Sequence, residues 1–217
     1  TKHNPDQALL TEEELSKLTL PAFRTIRGWQ KKRQISITFS RGCPFACDFC
    51  AVEAMFGPKY RFASTDWRIA QLEALRAQYP AIWQNCAIFF ADDNFFGSRQ
   101  GQAITIKMLE QMITMDLIPP KGWFCQMRVT DASSAVTKLM KQAGCKMVCL
   151  GIESVAADTL KAFGKGQNPE QIKEGLDHLH EAGIETLPMT IAGADTDTFW
   201  SFFSGIRQLA RWGVTYL

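Results

Sequence analysis

The sequence has little of what marks exported, membrane-spanning or nucleic-acid-binding proteins. No apolar run approaches the roughly 18–20 residues that a membrane helix needs, and no apolar stretch follows the first charged residues, so neither a membrane span nor a signal peptide is predicted. The formal net charge of the 217 residues is only +2, which provides no broad basic surface for nucleic acid or anionic lipid. Hydrophobic residues make up 46% of the chain and charged residues 21%, as in a typical globular protein. We therefore expect a cytoplasmic, globular protein.

Cysteine is present, but its number and spacing do not indicate disulfides. There are seven cysteines, an odd number, and without an export signal their thiols are expected to stay reduced. Three of them form one C-x3-C-x2-C loop: Cys43, Cys47 and Cys50. The other four lie in or beside apolar runs and are expected to be core residues: Cys86, Cys125, Cys145 and Cys149.

From residue 34 onward, apolar runs rich in β-forming residues alternate with amphipathic helical patterns. The apolar runs lie at 35–39, 87–91, 123–127, 147–152, 187–192 and 214–217. Three of them begin directly after a helix-ending glycine: Gly144, Gly183 and Gly213. This order predicts an α/β fold with a parallel sheet. Six units are too few for a closed barrel of about 250 residues, which leaves an open doubly wound sheet or a partial barrel.

Residues 1–33 lack a clear period and are expected to be a linker or extension, with residues 34–217 as the main domain. The chain stops inside its last apolar run, so we expect the parent protein to continue beyond it.

Polar side chains follow the ends of the first five predicted strands, where parallel α/β folds place their chemistry. The candidate residues are Asp92, Asp93, Gln126, Arg128, Glu153 and Ser154, together with the cysteine loop. The alternative for each polar residue is an ordinary hydrogen bond at the mouth of the fold, without a ligand.

The cysteine loop is the strongest chemical signal. Thiolates this close in sequence suit iron–sulfur clusters or zinc, but a structural zinc site usually takes four ligands in two matched pairs. Three thiolates on a four-iron cluster leave one iron free to bind another ligand, which is typical of an active site. Two alternatives stay open: a non-catalytic iron–sulfur electron carrier, which would need a fourth cysteine, and a zinc-binding module.

The stretch 40–50 resembles the signature of the radical S-adenosylmethionine (radical SAM) superfamily, and particularly its subgroup linked to a cobalamin-binding domain. Further stretches are similar to that subgroup, namely 56–61, 89–95, 151–154 and 193–198. The resemblance covers residues 34–217 and implies a partial (β/α)6 TIM-like barrel. It also implies that residues 1–33 connect to an upstream cobalamin-binding domain. Residues 1–33 carry no D-x-H-x-x-G run, so any cobalamin would be bound by a part of the protein outside this chain.

The resemblance implies that Cys43, Cys47 and Cys50 hold a 4Fe–4S cluster and that S-adenosylmethionine binds its fourth iron. One electron then cleaves the sulfonium to a 5′-deoxyadenosyl radical, for cobalamin-dependent methyl transfer or a related reaction such as cyclisation. Phe49 stands where the family places an aromatic ring near the adenine. Asp92, Asp93 and Asn94 stand where many members of the family have a Gly-Gly-Glu stretch that binds the methionine ammonium, and which of the two carboxylates does so stays open.

The resemblance leaves the remaining assignments less specific. Gln126 and Arg128 are candidates for the ribose or the methionine carboxylate, and Arg suits a bidentate carboxylate contact. Glu153 and Ser154 are candidates for the ribose hydroxyls. The expected partners are a small-molecule substrate and an electron donor such as flavodoxin or ferredoxin.

Overall fold

The computed structural model describes residues 8–214 and contains a parallel sheet surrounded by helices. The strands are β1 (Gln34–Ile37), β2 (Ser40–Arg41), β3 (Arg61–Phe62), β4 (Ala87–Phe90), β5 (Trp123–Met127), β6 (Cys145–Glu153) and β7 (Glu185–Thr190). The helices are α1 (Glu12–Leu15), α2 (Val52–Phe56), α3 (Thr65–Gln78), α4 (Pro80–Asn85), α5 (Arg99–Thr114), α6 (Ser134–Gln142), α7 (Ala157–Ala162), α8 (Pro169–Glu181) and α9 (Phe199–Arg211). Within this part of the chain, no helix has the length and apolarity to cross a membrane.

The five strands of the main sheet follow the order of the chain, β1-β4-β5-β6-β7, and each neighbouring pair is parallel. A doubly wound sheet would reverse its strand order at a switch point, whereas a barrel adds each strand beside the last. The sequential order therefore confirms the predicted partial parallel barrel. The sixth predicted strand, at 214–217, falls outside the described residues except for Val214 and stays a prediction.

The strand boundaries differ slightly from those predicted. β6 extends beyond the predicted run at both ends because it has a parallel partner on either side, β5 and β7. Cys145 and Cys149 both belong to this strand, and the four cysteines outside the loop are buried, as predicted. β7 begins two residues early because Glu185 pairs with Met147 of β6 even though its own side chain is exposed.

A short antiparallel pair, β2 with β3, was not predicted from the sequence. Ser40 pairs with Phe62 and Arg41 pairs with Arg61. Two residues per strand are too few to show a period of two, so the pattern carried no signal. The pair closes a loop from 42 to 60 that contains the three clustered cysteines and α2, and so fixes both ends of that loop.

The predicted helix ends are confirmed at three junctions. Gly144, Gly183 and Gly213 have φ angles of +92°, +68° and +83°, the left-handed backbone that glycine adopts without steric cost. One residue separates each of them from the end of its helix, α6, α8 and α9 respectively. After Gly144 and Gly183 the chain enters β6 and β7 within two residues.

The core fixes the sheet beneath that edge. Trp123 is completely buried, with its ring centre 5.1 Å from that of Phe90 and 5.4 Å from that of Phe95. Its indole N–H donates to the carbonyl of Ala143 at 2.7 Å, so the buried polar atom is satisfied. Residues 8–33 lie against the outside of the barrel, where Phe23 packs edge-on to Tyr79 at 5.4 Å.

Helix α8 packs closely on the turn that follows β5. A Cβ atom at Gly175 would stand 2.5 Å from the carbonyl oxygen of Val129 and 2.6 Å from its Cγ2. We expect Gly175→Ala to lower the free energy of unfolding by about 1–3 kcal/mol in urea titrations, through this overpacking. The same substitution inside an unobstructed helix raises stability by about 1 kcal/mol.

Gly205 in α9 is the matched control, because a Cβ atom there meets only one side-chain atom, the Cγ2 of Val155, at the longer distance of 3.3 Å. Gly205→Ala is expected to stay close to the parent stability. Equal stabilities for the two variants would contradict the close packing of α8 on this turn.

Candidate active site

The cysteine loop leaves the C-terminal edge of the sheet through β2. Gly42 begins it with a φ of +83°, and a Cβ atom there would stand 2.9 Å from the carbonyl oxygen of Lys59. Glycine is therefore required both for the turn and for the close approach of the returning chain. Cys43 and Cys47 are half-buried and Cys50 is exposed, in contrast to the four core cysteines.

Asp92, directly after the end of β4, holds the start of this loop. Its Oδ1 accepts from the backbone N–H of Phe39 at 2.8 Å, and from the backbone N–H and hydroxyl of Ser40 at 2.5 and 2.6 Å. Burial raises the pKa of the Asp92 carboxyl, while the charge of Arg68 and these hydrogen bonds oppose that rise. Asp92 thus binds backbone groups and does not line the cavity beside the cysteines.

Asp93, unlike Asp92, faces the cavity beside the cysteine loop. Its Oδ2 accepts from the backbone N–H of Gly42 at 3.1 Å, and its exposed carboxylate lines a cavity shared with the cysteine loop. Asn94 also lines this cavity, and its Oδ1 accepts from the backbone N–H groups of Phe96 and Gly97. In this motif Asp92 only holds other parts of the chain, whereas Asp93 and Asn94 both accept from backbone N–H groups and line the cavity.

The end of β5 contributes Gln126 and Arg128, and both line the cavity. The guanidinium carbon of Arg128 lies 4.0 Å from the ring centre of Phe45. Its Nη1 is 3.9 Å from the Sγ of Cys47, and its Nη2 donates to the carbonyl of Lys165. Arg128 thus bridges the cysteine loop and the loop between α7 and α8.

The end of β6 places a buried ion pair on the same cavity. Glu153 has a φ of +64°, a conformation that residues with a Cβ atom rarely adopt. Its Oε1 accepts from the Nζ of Lys165 at 2.9 Å, and both side chains are at most 10% exposed. Gln167 donates to the carbonyls of Gly151 and Ile152, which anchors the loop that carries Lys165.

Lys165 was not predicted as a site residue. It comes from a loop after α7, not from a strand end, so the rule that located the other candidates does not reach it. Two glycines flank it, Gly164 and Gly166, with φ angles of +60° and +63°. The sequence feature that could have indicated Lys165 is its place between two glycines, because a glycine-rich loop can bring its backbone close to a site.

Aromatic rings line the side of the cavity nearest the cysteines. Phe49 packs against Phe163 with ring centres 5.2 Å apart, and the Nζ of Lys165 lies 5.7 Å from its ring centre. The ring is still 41% exposed and lines the cavity, so one part of it stays open to a ligand.

One cavity thus joins most of the predicted site. It encloses about 780 Å³ of empty space, including its opening to solvent. The predicted residues on its wall are Cys43, Cys47, Cys50, Phe49, Asp93, Gln126, Arg128 and Glu153. Ser154 lies instead on a neighbouring cavity beside α9, and its hydroxyl accepts from the backbone N–H of Ala156.

The donor set fits an anionic iron–sulfur cluster. Asn94 Nδ2 and Arg128 Nε are buried N–H donors that have no acceptor among the described residues, and both side chains line the cavity with the three thiols. Within residues 8–214, no three Cys, His, Asp or Glu side chains stand close enough together for a single metal ion. A four-iron cube takes each thiolate on a different iron, so its ligands stand farther apart than those of one ion.

Two proteins with similar sequences are named for methyl transfer. An uncharacterized methyltransferase of Pyrococcus horikoshii is 32% identical over 177 residues, 82% of this chain and 37% of that protein. The hopanoid C-2 methylase of Rhodopseudomonas palustris is 28% identical over 202 residues, 88% of this chain and 36% of that protein. The chain thus spans just over a third of the length of these relatives.

Solved structures support the fold. The radical SAM methyltransferase TsrM of Kitasatospora setae, with tryptophan and a SAM analogue bound, has a TM-score of 0.75 at 18% identity, over 86% of this chain and 35% of that one. The cobalamin-dependent radical SAM enzyme OxsB has a TM-score of 0.76 at 21% identity, over 95% of this chain and 30% of that one.

The family assignment rests on the cysteine loop, the shared cavity and a direct family match. The model of the radical SAM superfamily matches residues 37–203, which include the cysteine loop and every strand end that lines the cavity. The family implies a 4Fe–4S cluster and S-adenosylmethionine as cofactors, as the resemblance of the cysteine loop implied. The chain belongs to the radical SAM superfamily.

Proposed function

We propose that this chain is the S-adenosylmethionine-cleaving core of a methyltransferase, with the cluster bound by Cys43, Cys47 and Cys50. The observation that carries the proposal is that the three thiols share one cavity with Asp93 and with the ion pair of Glu153 and Lys165. The cavity therefore offers acceptors for an ammonium, cations for a carboxylate and aromatic surface for a purine.

When bound, the cluster and S-adenosylmethionine supply the electron transfer that cleaves the sulfonium to a 5′-deoxyadenosyl radical. The residues of the chain bind and orient the reactants. Asp93 accepts from the methionine ammonium, because its carboxylate faces the cavity while that of Asp92 is held by backbone groups. Phe49 presents its open face to the adenine, and Glu153 accepts from the ribose hydroxyls. Ser154 has no ligand role in this proposal.

Gln126 and Lys165 complete the binding surface. Gln126 presents an amide that can donate to the ribose or to the carboxylate. Lys165 is held by Glu153 and faces the cavity, which suits it to the methionine carboxylate. The substrate is a small molecule, and the electron comes from a donor such as flavodoxin or ferredoxin. Reduced cysteines fit a cytoplasmic location.

Methyl transfer with cobalamin is the reaction we propose for the whole protein. Sequence relatives are named as methyltransferases and methylases, and the solved OxsB structure carries cobalamin. A relative from Rubrivivax gelatinosus, 29% identical, is named as a cyclase, so ring formation is the other reaction to test for. Cobalamin would be bound by a domain of the full protein upstream of residues 1–33.

The first prediction concerns the cluster. Anaerobic reconstitution is expected to give about four irons per chain, the content of one 4Fe–4S cluster. Alanine at Cys43, Cys47 or Cys50 is expected to reduce iron binding and to abolish 5′-deoxyadenosine release, because every thiolate holds a different iron. Alanine at the buried Cys86 or Cys149 is the control, and these variants should keep both properties. A triple variant of the loop that still binds iron and releases 5′-deoxyadenosine would contradict the assignment.

The second prediction concerns the ammonium of S-adenosylmethionine. Removing a hydrogen bond to a charged group typically costs about 1.5–3 kcal/mol, so Asp93→Ala is expected to weaken binding by roughly 10- to 100-fold in calorimetry. Iron content is measured alongside, because Asp93 also binds the backbone of Gly42. Asp195→Ala removes an exposed carboxylate outside the cavity and should leave the affinity unchanged. Equal affinity in Asp93→Ala with full iron would show that Asp93 only holds the loop.

The third prediction concerns cobalamin. The full protein, prepared with cobalamin, is expected to retain about one corrinoid per chain and to show its visible absorption. Residues 1–217 alone are expected to retain none, since they are proposed to lack the cobalamin-binding domain. Methyl transfer by a full protein free of corrinoid would contradict this part of the proposal, and a cyclised product would point to the other reaction.

A further inference from the structure

We propose that Arg128 is a positioning residue for the cluster, which donates to the Cys47 thiolate and raises the reduction potential of the cluster. This inference rests on the proposed cluster site of Cys43, Cys47 and Cys50. It assigns Arg128 to the cluster itself, in place of the ribose or carboxylate of S-adenosylmethionine.

The side chain of Arg128 is held from three directions. The Nη1 atom lies 3.9 Å from the Sγ of Cys47, within range of an N–H···S contact, which is longer than one to oxygen. The face of the guanidinium stacks on Phe45 at 4.0 Å, and Nη2 is bound to the Lys165 carbonyl. These contacts fix the orientation of the guanidinium, and in this orientation Nη1 faces the sulfur of Cys47.

The charge of Arg128 has no salt-bridge partner in the part of the chain that the structure describes. The ion pairs there are Lys17 with Glu13, Lys165 with Glu153 and Lys173 with Asp177. Arg128 is only 6% exposed, and its Nε has no acceptor among the same residues. A buried cation normally needs an anion close by, because water no longer screens its charge. The Cys47 thiolate with its cluster supplies that anion beside the guanidinium.

Asp131 is a nearby carboxyl group whose pKa is affected by the charge of Arg128. Burial raises the pKa of Asp131 to about 6, and the positive charge of Arg128 opposes that rise. The two groups form no ion pair within 4 Å, and Asp131 Oδ2 is buried without a hydrogen bond. Asp131 therefore does not take the place of the cluster as the direct partner of the guanidinium.

The effect on the potential follows from charge. Reduction adds one electron to the core, so the cluster with its three thiolates changes from one net negative charge to two. A fixed cation and an N–H donor at one thiolate stabilise the more negative state more strongly. Hydrogen bonds to the sulfurs and local charge are among the factors that set iron–sulfur potentials. Arg128 therefore makes the cluster easier to reduce by a low-potential one-electron donor.

The position of Arg128 is set by packing away from the cluster. It precedes the 3-10 turn Val129–Asp131, and Gly175 of α8 packs directly on Val129. The backbone of Arg128 is therefore fixed by the core, while its side chain reaches across to the cysteine loop.

The test is the midpoint potential of the reconstituted full protein, measured by dithionite titration with EPR detection and without S-adenosylmethionine. Arg128→Gln is expected to shift the reduction equilibrium about tenfold against the reduced state, which is a fall of about 59 mV for one electron. Arg128→Lys keeps the charge but loses the fixed fork, so a smaller fall is expected. Arg41→Gln is the control: Arg41 stands two residues before Cys43, but its Nη1 donates to the Ser40 carbonyl, so a smaller fall than that of Arg128→Gln is expected.

The outcomes separate the claims. Parent-like potentials in both Arg128 variants with full iron would overturn the inference, and weaker S-adenosylmethionine binding in the same variants would assign Arg128 to that ligand. Equal falls for Arg41→Gln and Arg128→Gln would also overturn it, because the contact of Arg128 with Cys47 would then add nothing to the effect of a nearby positive charge. If Arg128→Gln holds no cluster, Arg128→Lys decides: a lower potential supports the inference and a parent-like one overturns it. A parent protein without any cluster would instead contradict the proposed function.

Discussion

The carboxylate of Asp92 is the interaction on which the site depends. It joins the end of β4 to the N–H groups of Phe39 and Ser40, where the chain leaves β1 for the cysteine loop. Arg68, also buried, lies behind it and offsets its charge. Asp93, the next residue, lines the cavity and accepts from the N–H of Gly42, at the base of the loop. Two successive carboxylates thus hold the start of the cysteine loop.

Two cations, Lys165 and Arg128, line the cavity and have different partners. Lys165 has its own carboxylate, Glu153, in a pair that is almost fully buried. Arg128 has no such partner among residues 8–214 and instead contacts the face of Phe45 and the sulfur of Cys47. A buried pair is already balanced, whereas a buried single cation is balanced only when an anion binds. The cavity is therefore electrostatically prepared for an anionic cluster next to Arg128.

The alternating β and α patterns predicted a parallel α/β fold and the edge that carries the site, because these patterns are local in sequence. The choice of a partial barrel over a doubly wound sheet came from the resemblance of the cysteine loop. The sequence could not separate neighbours within a motif. Asp92 differs from Asp93, and Glu153 from Ser154, through contacts with residues distant in sequence or with the turn that follows. The β2–β3 pair was not predicted because its strands have only two residues each. Lys165 was not predicted because its contact with Glu153 depends on the folding of a loop that does not end a strand.

The most direct test of the central claim, that one iron of a three-cysteine cluster is free to bind S-adenosylmethionine in this cavity, is the EPR spectrum of the reduced protein with and without the cosubstrate. The account predicts a 4Fe–4S signal whose g-values change when S-adenosylmethionine is added, because its amino and carboxylate groups would bind the open iron. A cluster signal that is identical with and without S-adenosylmethionine would contradict the account, since the cluster would then be a closed electron carrier.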